Sequence, residues 1–232
     1  MYNYEIYKVL KLFDDEKLSK VNHLLSCSKD FDWKSGNNTF RGEEGTKKNK
    51  ELSNKFYEKD IYELTLKCIN DSEEIAEFTF PKEIQNLIIS KTEPEGYYNT
   101  HIDFATVGDF SVTVFLSEKD TYTGGELCLW INGKEELIKL DPGYAVIYPT
   151  GTPHRVKKVE SGVRYAIIFW IKSIFKDPII LETCRELRSI KLTPDQKHMF
   201  IKNNEKMEDV INQIEFKLTN SLYRLIRIYG ST

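Results

Sequence analysis

The chain has 232 residues, of which 40% are hydrophobic and 30% charged, a composition typical of a folded globular protein with one core and additions. Its 33 Lys and Arg against 36 Asp and Glu give a formal net charge of −3, which argues against nucleic acid or an anionic membrane as a partner. No apolar run approaches the roughly 20 residues that span a bilayer, and we expect no signal peptide because the first residues alternate polar and apolar side chains.

The cysteines are widely spaced and form no CxxC pair. They are Cys27, Cys68, Cys128 and Cys184. Such spacing is typical of reduced, mostly buried thiols rather than of a disulfide framework or a zinc site. We therefore expect a cytoplasmic protein.

The N-terminal part predicts a short strand near residues 6–10, followed by two helices. Asp14 or Asp15 is placed to cap the first helix, and the second would run from about Leu52 to Cys68. Between the helices, residues 34–50 are polar and show no periodicity. They predict a long loop, which is either a solvated segment or a substrate lid.

Residues 84–173 consist of short β-type runs separated by turn residues. We predict strands at residues 87–91, 111–116, 126–131, 137–140, 144–147, 155–159 and 164–170. The dipeptide Asn132-Gly133 is the clearest indication of a two-residue hairpin. Many short strands at this spacing favour an antiparallel sandwich or barrel, the jelly roll included.

After Lys176 the apolar residues again recur at helical intervals, up to Gly230, which is suited to end a helix. The predicted fold class is therefore mainly β with flanking helices (α+β). We expect three parts. They are an N-terminal strand and helices packing on the core (1–82), a β-barrel core (83–176) and a C-terminal helical extension (177–232).

Two of the four histidines lie in the β region and form the candidate metal site. His101 and Asp103 are two residues apart, and side chains at that spacing point the same way in an extended backbone. His154 follows several strands later and is placed to complete the set from across a barrel. Two His and one carboxylate on one face of iron(II) leave positions open for substrate and oxygen. His23 and His198 fall in predicted helices and are interpreted as ordinary surface or packing residues.

Arg164 heads a run, residues 164–171, that is apolar on both faces. Burying a guanidinium in such a strand is costly unless a partner neutralises it. A bound dicarboxylate would do so, with one end on the metal and the other on Arg164. An internal salt bridge to an Asp or Glu explains the same residue equally well, so both interpretations remain open at this stage.

Several blocks of the β region resemble the PKHD-type (prolyl-4-hydroxylase-like) dioxygenases. The similar blocks are residues 98–103 (YNTHID), 109–117 (DFSVTVFLS), 122–127 (YTGGEL), 148–149 (YP), 154–156 (HRV), 162–164 (GVR) and 169–173 (FWIKS). They keep the family's order and spacing across residues 88–176. Weaker similarity extends to Lys48-Asn49 and to the C-terminal helices.

The resemblance implies a double-stranded β-helix (jelly-roll) core in which His101, Asp103 and His154 hold Fe(II). It also implies that Arg164 binds the distal carboxylate of 2-oxoglutarate. Related halogenases lack the carboxylate ligand, so the presence of Asp103 favours hydroxylation, with release of succinate and CO2.

The resemblance further places Tyr98 and Thr113 in the cosubstrate pocket and implies ascorbate as an additional cofactor. The leading substrate that the resemblance implies is a prolyl residue in a peptide or protein, and the alternative is a free amino acid or small metabolite. Gly124-Gly125 would permit a tight turn close to the site, because glycine adopts positive φ.

Two positions depart from the family pattern. Phe104 stands where relatives usually carry Asn after the metal-binding Asp, and Val107 stands where an Arg is common. Both are expected near the mouth of the pocket, so the substrate is expected to differ from that of typical relatives.

Two other functions fit parts of the pattern. A cupin-like metalloenzyme or metal-binding sensor on the same barrel would need neither an oxoacid cosubstrate nor a buried Arg164. A catalytically inactive interaction module would be marked by loss of a metal ligand, and none of the three is missing. The sequence indicates no oligomeric state.

Overall fold

The structure is a computed structural model and describes residues 6–38, 45–104, 106–190, 197–198 and 205–231. It divides into two compact units, of which the first comprises Met1–Glu74 and Glu83–Lys172 and the second Ile75–Lys82 and Ser173–Thr232. The first unit contains the β-sheets and two helices, and the second is mainly helical.

Most of the strands lie in the middle of the chain, and the helices lie on either side of them. The described strands are β1 (Lys8–Lys11), β2 (Trp33–Ser35), β3 (Lys47–Lys48), β4 (Lys50–Leu52), β5 (Pro81–Thr92), β6 (Tyr97–His101), β7 (Phe110–Phe115), β8 (Thr123–Gly124), β9 (Leu127–Ile131), β10 (Lys134–Ile138), β11 (Tyr144–Pro149), β12 (His154–Val156), β13 (Val159–Ser161) and β14 (Arg164–Ser173). The described α-helices are α1 (Asp15–Cys27), α2 (Lys55–Asp71), α3 (Glu73–Thr79), α4 (Pro178–Ser189) and α5 (Glu205–Tyr229).

Two antiparallel sheets form the core of the first unit. One has the strand order β1-β11-β7-β14-β5-β4-β2 and the other β10-β9-β12-β6-β3, while β8 and β13 form a separate pair. Side chains of both sheets meet in one apolar cluster, in which Phe115 and Tyr148 of the first sheet join Leu127 and Leu129 of the second. The predicted mainly β core with flanking helices is confirmed, and it has the double-sheet form of a jelly roll.

The hairpin predicted at Asn132-Gly133 is confirmed. Both residues have positive φ, 51° and 75°, as a type I′ turn requires. Lys134 pairs directly with Ile131 across the turn. Strand β10 therefore begins at Lys134 rather than near Leu137, because a two-residue turn lets pairing resume at once.

One predicted strand is wrong, and one observed strand was not predicted. Residues 155–159 are not one strand, because β12 pairs with β6 and β9 whereas β13 pairs with β8 in a separate ladder. Strand β6 was not predicted as a strand at all, although it ends at His101.

Local capping explains where the first two helices begin. Asp14 accepts a hydrogen bond from the backbone N–H of Lys17 at 2.8 Å, as predicted for the start of α1. The α2 helix begins after Asn54, whose side chain accepts from the N–H of Phe56 at 3.0 Å. It does not begin at Leu52, which belongs to β4.

The loop predicted at residues 34–50 is wrong in part; residues 39–44 lie outside the described residues. Strand β3 pairs with β6 in the five-stranded sheet, and β4 pairs with β5 in the seven-stranded sheet. One short segment, residues 47–52, therefore joins the two sheets. Its polar composition disfavours a strand locally, and pairing with strands distant in sequence overrides that preference.

The second unit packs α4 against α5. Asp177 caps α4 by accepting from the N–H groups of Ile179 and Ile180 at 2.8 and 3.2 Å. Arg185 on α4 donates from Nε to the carbonyl of Phe78 at 2.6 Å, and its guanidinium lies 3.8 Å from the Phe78 ring centroid. The predicted C-terminal helix is confirmed as α5.

All four cysteines lie in the described part of the chain, where they are free thiols. Cys68, Cys128 and Cys184 are buried and Cys27 is partly buried. Among the described helices, none is both long enough and apolar enough to cross a bilayer.

Candidate active site

Strands β6 and β12 place two imidazoles side by side. His101 and His154 are direct cross-strand partners, and their ring centroids are 4.2 Å apart. His154 therefore reaches the site from the neighbouring strand of the same sheet. The expectation that it would come from across the barrel is wrong.

Backbone carbonyls fix the tautomer of both rings. Nδ1 of His101 lies 2.8 Å from the carbonyl oxygen of Asn99, and Nδ1 of His154 lies 2.9 Å from that of Thr152. A carbonyl oxygen only accepts, so Nδ1 must carry the proton and donate it. The lone pair is consequently on Nε2 of each ring, which is the form that binds a metal ion.

Asp103 follows β6 and completes the set. Its Oδ1 lies 3.6 Å from Nε2 of His101, and its Oδ2 lies 3.7 Å from Nε2 of His154. The Ser111 hydroxyl and the Trp170 indole N–H both donate to Oδ2 at 2.8 Å. These two hydrogen bonds hold the carboxylate in one orientation, with Oδ1 on the side of His101.

The ligand atoms of His101, Asp103 and His154 all lie within 4.8 Å of one another, and their side chains are at most 12% exposed. Ligands bound at about 2 Å from one ion lie about 3–4 Å apart, so the set fits a single metal ion with little movement. Two His and one carboxylate leave open positions, as in non-haem Fe(II) oxygenases.

The protonation states suit metal binding at neutral pH. Burial alone would raise the pKa of Asp103, but the neighbouring imidazoles and the hydrogen bonds from Trp170 and Ser111 outweigh it and hold the pKa at about 2. Burial, together with the charge of His101, lowers the pKa of His154 to about 4. The carboxylate is thus ionised and the imidazole neutral, as metal ligands must be.

The metal ligands open into a cavity of about 350 Å³. Its lining includes every site residue predicted from the sequence, which are Tyr98, His101, Asp103, Thr113, His154 and Arg164. Phe104 and Val107 also line it, and Phe104 is 62% exposed, which places it at the mouth as expected.

Arg164 is 3% exposed and lies in the same cavity, on the face of β14 that also carries Ile168 and Trp170. Within the described residues, its Nε and Nη2 atoms have no hydrogen-bond partner, and no carboxylate pairs with it. Its guanidinium lies 5.2 Å from the Phe115 ring centroid, and burial lowers its pKa. An internal salt bridge does not account for Arg164 in this part of the chain, whereas a carboxylate ligand would satisfy it.

Two buried tyrosines lie near Arg164 and were not singled out from the sequence. Tyr148 lines the cavity and packs edge-to-face on His154 at 5.2 Å between ring centroids. Tyr122 lies beside Arg164, and its hydroxyl has no hydrogen-bond partner among the described residues. Burial raises the pKa of both phenols, so both remain donors. The inward alternation of Val146 and Tyr148 along β11 could have identified Tyr148.

Gly124 and Gly125 have positive φ, 72° and 68°, but the tight turn predicted there is wrong, because Gly124 belongs to strand β8 and pairs with Val159 of β13. A Cβ on Gly125 would lie 3.1 Å from Cε2 of Tyr122 and 3.2 Å from Cδ of Arg164. Glycine at this position therefore leaves room for both side chains.

Another part of the cavity lining comes from residues 47–51. Lys47, Asn49 and Glu51 all line it, and Lys47 and Glu51 form a buried ion pair. The interpretation of residues 34–50 as a solvated segment is wrong for Lys47, which is 9% exposed. Polar residues at every second position were the available indication, and the strand was missed because Lys and Asn are uncommon in strands.

The fold and this set of side chains define a non-haem iron oxygenase that depends on 2-oxoglutarate. A family model described as the 2OG-Fe(II) oxygenase superfamily matches residues 87–172. The donor set and the unpaired Arg164 fit Fe(II) and 2-oxoglutarate, the two groups that this family uses.

A PKHD-type hydroxylase of Prochlorococcus marinus is 32% identical over 176 residues, covering 73% of this chain and 79% of the relative. The chain belongs to the family of PKHD-type hydroxylases within the 2OG-Fe(II) oxygenases. A Pseudomonas putida prolyl-4-hydroxylase shares the fold, with a TM-score of 0.52 and 15% identity over 72% of this chain and 92% of that one. So does a Trichoplax adhaerens prolyl hydroxylase solved with a peptide fragment, with a TM-score of 0.53 and 16% identity over 74% and 85%.

Proposed function

We propose that this oxygenase hydroxylates a prolyl residue in a peptide or protein. In this proposal His101, Asp103 and His154 hold Fe(II), and Arg164 binds the distal carboxylate of 2-oxoglutarate. The observation that carries it is the presence, in one cavity, of three metal-type ligands and a buried guanidinium whose Nε and Nη2 have no hydrogen-bond partner among the described residues. We propose the cytoplasm as the place of action, because widely spaced free cysteines are typical of reducing compartments.

When bound, Fe(II) and 2-oxoglutarate supply the oxidation, in which one oxygen atom of O2 enters the substrate as a hydroxyl, the other enters succinate, and CO2 is released. The chain supplies orientation. The carbonyls of Asn99 and Thr152 hold the imidazoles with Nε2 exposed to the metal. Ser111 and Trp170 hold the carboxylate of Asp103, and such supporting hydrogen bonds raise metal affinity.

Arg164 has a separate role at the far end of the cosubstrate. Its unpaired nitrogens can donate two parallel hydrogen bonds to a carboxylate, which fixes the direction in which 2-oxoglutarate lies. Tyr148 and Thr113 line the space between Arg164 and the metal ligands, and both are almost fully buried. Exclusion of water there strengthens the charge pairing.

The prolyl substrate is supported by two features. Two of the solved structures that share the fold are named prolyl hydroxylases, and one of the two is in complex with a peptide. The cavity mouth carries Ile102, Phe104 and Val107, which suit an apolar ring better than a charged side chain. The cupin-like alternative is disfavoured because it gives the buried Arg164 no ligand.

The test is anaerobic addition of Fe(II) and 2-oxoglutarate, followed by the weak visible charge-transfer band. We expect the band in the wild-type protein, its loss in His154→Ala and its weakening in Arg164→Leu. His23→Ala is the matched control, because His23 is exposed on α1 and should leave the band intact. A metal-loaded wild-type protein without the band would contradict the proposed cosubstrate.

The prolyl assignment has its own measurement. Proline-containing peptides should gain the mass of one oxygen atom on a prolyl residue, with one succinate formed per hydroxylation. Succinate formation that no such peptide stimulates would contradict the prolyl substrate while leaving the oxygenase intact.

A further inference from the structure

One wall of the cavity is polar, although most of the lining is apolar or already assigned. We define the polar wall as Lys47, Asn49, Glu51, Ser90 and Thr92, all of which line the cavity. The first three alternate along residues 47–51 and the last two along β5, so each set lies on one face of its segment. Glu51 and Ser90 are register partners, which makes the two sets one surface.

The polar wall contains a charged pair that is hard to explain by stability alone. Nζ of Lys47 lies 2.5 Å from Oε1 of Glu51, and both side chains are 9% exposed. Removing both charges from water costs more than their attraction returns unless further polar partners are present. Because this pair lies in the wall of a cavity rather than in the packed core, a ligand that enters the cavity can form hydrogen bonds with it.

The Lys47 ammonium has donors to offer. In the part of the chain that the structure describes, its one hydrogen bond goes to Glu51, and it also lies 5.1 Å from the Tyr98 ring centroid. An ammonium has three N–H donors. A carbonyl or carboxylate oxygen entering the cavity could therefore accept from Lys47 without breaking the pair.

The polar wall lies close to the metal ligands. The Tyr98 ring stacks on His101 with centroids 3.6 Å apart, and Lys47 contacts the same Tyr98 ring. A molecule held by Lys47 is thus one aromatic side chain away from a metal ligand. That is a suitable position for the group that is to be hydroxylated, rather than for a remote effector.

We propose that the polar wall binds the main-chain atoms of an amino-acid unit of the substrate. The carbonyl or carboxylate oxygen of that unit accepts from Lys47, and its nitrogen donates to Glu51. This inference rests on the proposed function, because it takes the Arg164 end of the cavity as the place of 2-oxoglutarate. The paired charges of the polar wall sum to zero, which suits a neutral amide or a zwitterion and disfavours a second dianion.

The amino-acid unit can come from a free amino acid or from a peptide, and two probes separate these sources. The protein is loaded with 2-oxoglutarate and Zn(II), which has no redox chemistry, and binding is measured by calorimetry. L-Proline retains both charges, whereas N-acetyl-L-prolinamide retains only the amide donor and acceptor groups. Binding of L-proline alone assigns a free amino acid, and binding of the capped probe assigns a peptide.

Two single variants test the residues. For whichever probe binds, Lys47→Met and Glu51→Gln should each raise Kd by about tenfold or more, because each removes a hydrogen bond to a charged group. Lys50→Met is the matched control. Lys50 lies on the same segment, but it pairs with Glu93 at 2.8 Å and is 40% exposed outside the cavity, so it should leave Kd unchanged.

A double variant keeps the test independent of folding. Lys47→Met leaves Glu51 buried without its partner, whereas Lys47→Met/Glu51→Leu removes both charges, a replacement that is often neutral or stabilising. The double variant should melt near or above the wild-type temperature and still lose the probe.

The outcomes separate the two proposals. If 2-oxoglutarate does not bind the metal-loaded wild-type protein, the proposed function fails. If 2-oxoglutarate binds but neither probe does, the proposed role of the polar wall fails and the proposed function stands. The same holds if the bound probe keeps its Kd in Lys47→Met, Glu51→Gln and the double variant.

Discussion

The cavity has two regions with buried charge, the Arg164 end and the polar wall, and they differ in whether that charge is paired. Arg164 is 3% exposed and has two nitrogens without a partner in the described residues. Lys47 is 9% exposed, but its ammonium is paired with Glu51 at 2.5 Å. The first region has an excess positive charge, and the second is neutral within itself.

This difference indicates what each region binds. A buried unpaired cation is costly without a ligand, so the Arg164 end suits a dianion such as 2-oxoglutarate. A paired region has no charge to neutralise and offers hydrogen bonds instead, so it suits a neutral or zwitterionic group. Both regions line the same cavity as the metal ligands. The following variants test this division, from the largest expected effect to the smallest.

Removing a metal ligand should disable both regions. Asp103→Ala should lower succinate formation with Fe(II) and 2-oxoglutarate by more than about a hundredfold, because loss of groups that merely support metal ligands already costs about 10–100-fold. The measurement is succinate release over time. Asp120→Ala, at an exposed position, is the control. Turnover close to wild type in Asp103→Ala would remove Asp103 from the ligand set.

Breaking the Lys47–Glu51 pair should destabilise the protein even when no ligand is bound. Lys47→Met removes the cation that pairs with the buried Glu51 carboxylate, which is expected to cost about 3–5 kcal/mol of unfolding free energy. Urea denaturation of the metal-free protein measures this cost. An unchanged unfolding free energy would mean that Glu51 finds another partner and that the pair is not a unit.

Removing the charge of Arg164 should have the opposite effect on stability. Arg164→Leu should stabilise the protein by about 1–3 kcal/mol in the absence of ligands, because it removes a buried group with unsatisfied donors. It should also abolish the rise in melting temperature that 2-oxoglutarate gives the wild-type protein. A destabilised Arg164→Leu variant would show that Arg164 is already neutralised, and the contrast between the two regions would then be wrong.

A surface ion pair provides the smallest effect. Arg155 follows His154 on β12 and donates from Nε and Nη2 to the carboxylate of Glu135 at 2.7 and 3.0 Å. The pair is 40% and 26% exposed, so Arg155→Gln should change the unfolding free energy by at most about 1 kcal/mol. The KM of the Arg155→Gln variant for 2-oxoglutarate should match that of the wild-type protein. A larger shift in that KM would mean that the position of His154 depends on Arg155.

The sequence by itself determined the elements whose causes are local. The Asn132-Gly133 turn and the Asp14 cap depend on the φ preferences and side-chain hydrogen bonds of a few neighbouring residues. The pairing of His101 with Asp103 as candidate ligands follows from a spacing of two. His154 was identified as the other histidine of the β region, and Arg164 as a charge in a strand that is apolar on both faces. The role of Arg164 came only from the family resemblance, because the local pattern left an internal salt bridge equally possible.

Only the tertiary structure decided how distant segments meet. The register between β6 and β12 places His154 beside His101, and the crossing of residues 47–52 between the sheets buries Lys47 with Glu51. Whether a charged residue is paired or unpaired depends on every segment that packs around it. That property belongs to no single stretch of sequence, which is why the isolation of Arg164 and the pairing of Lys47 became visible only in the folded chain.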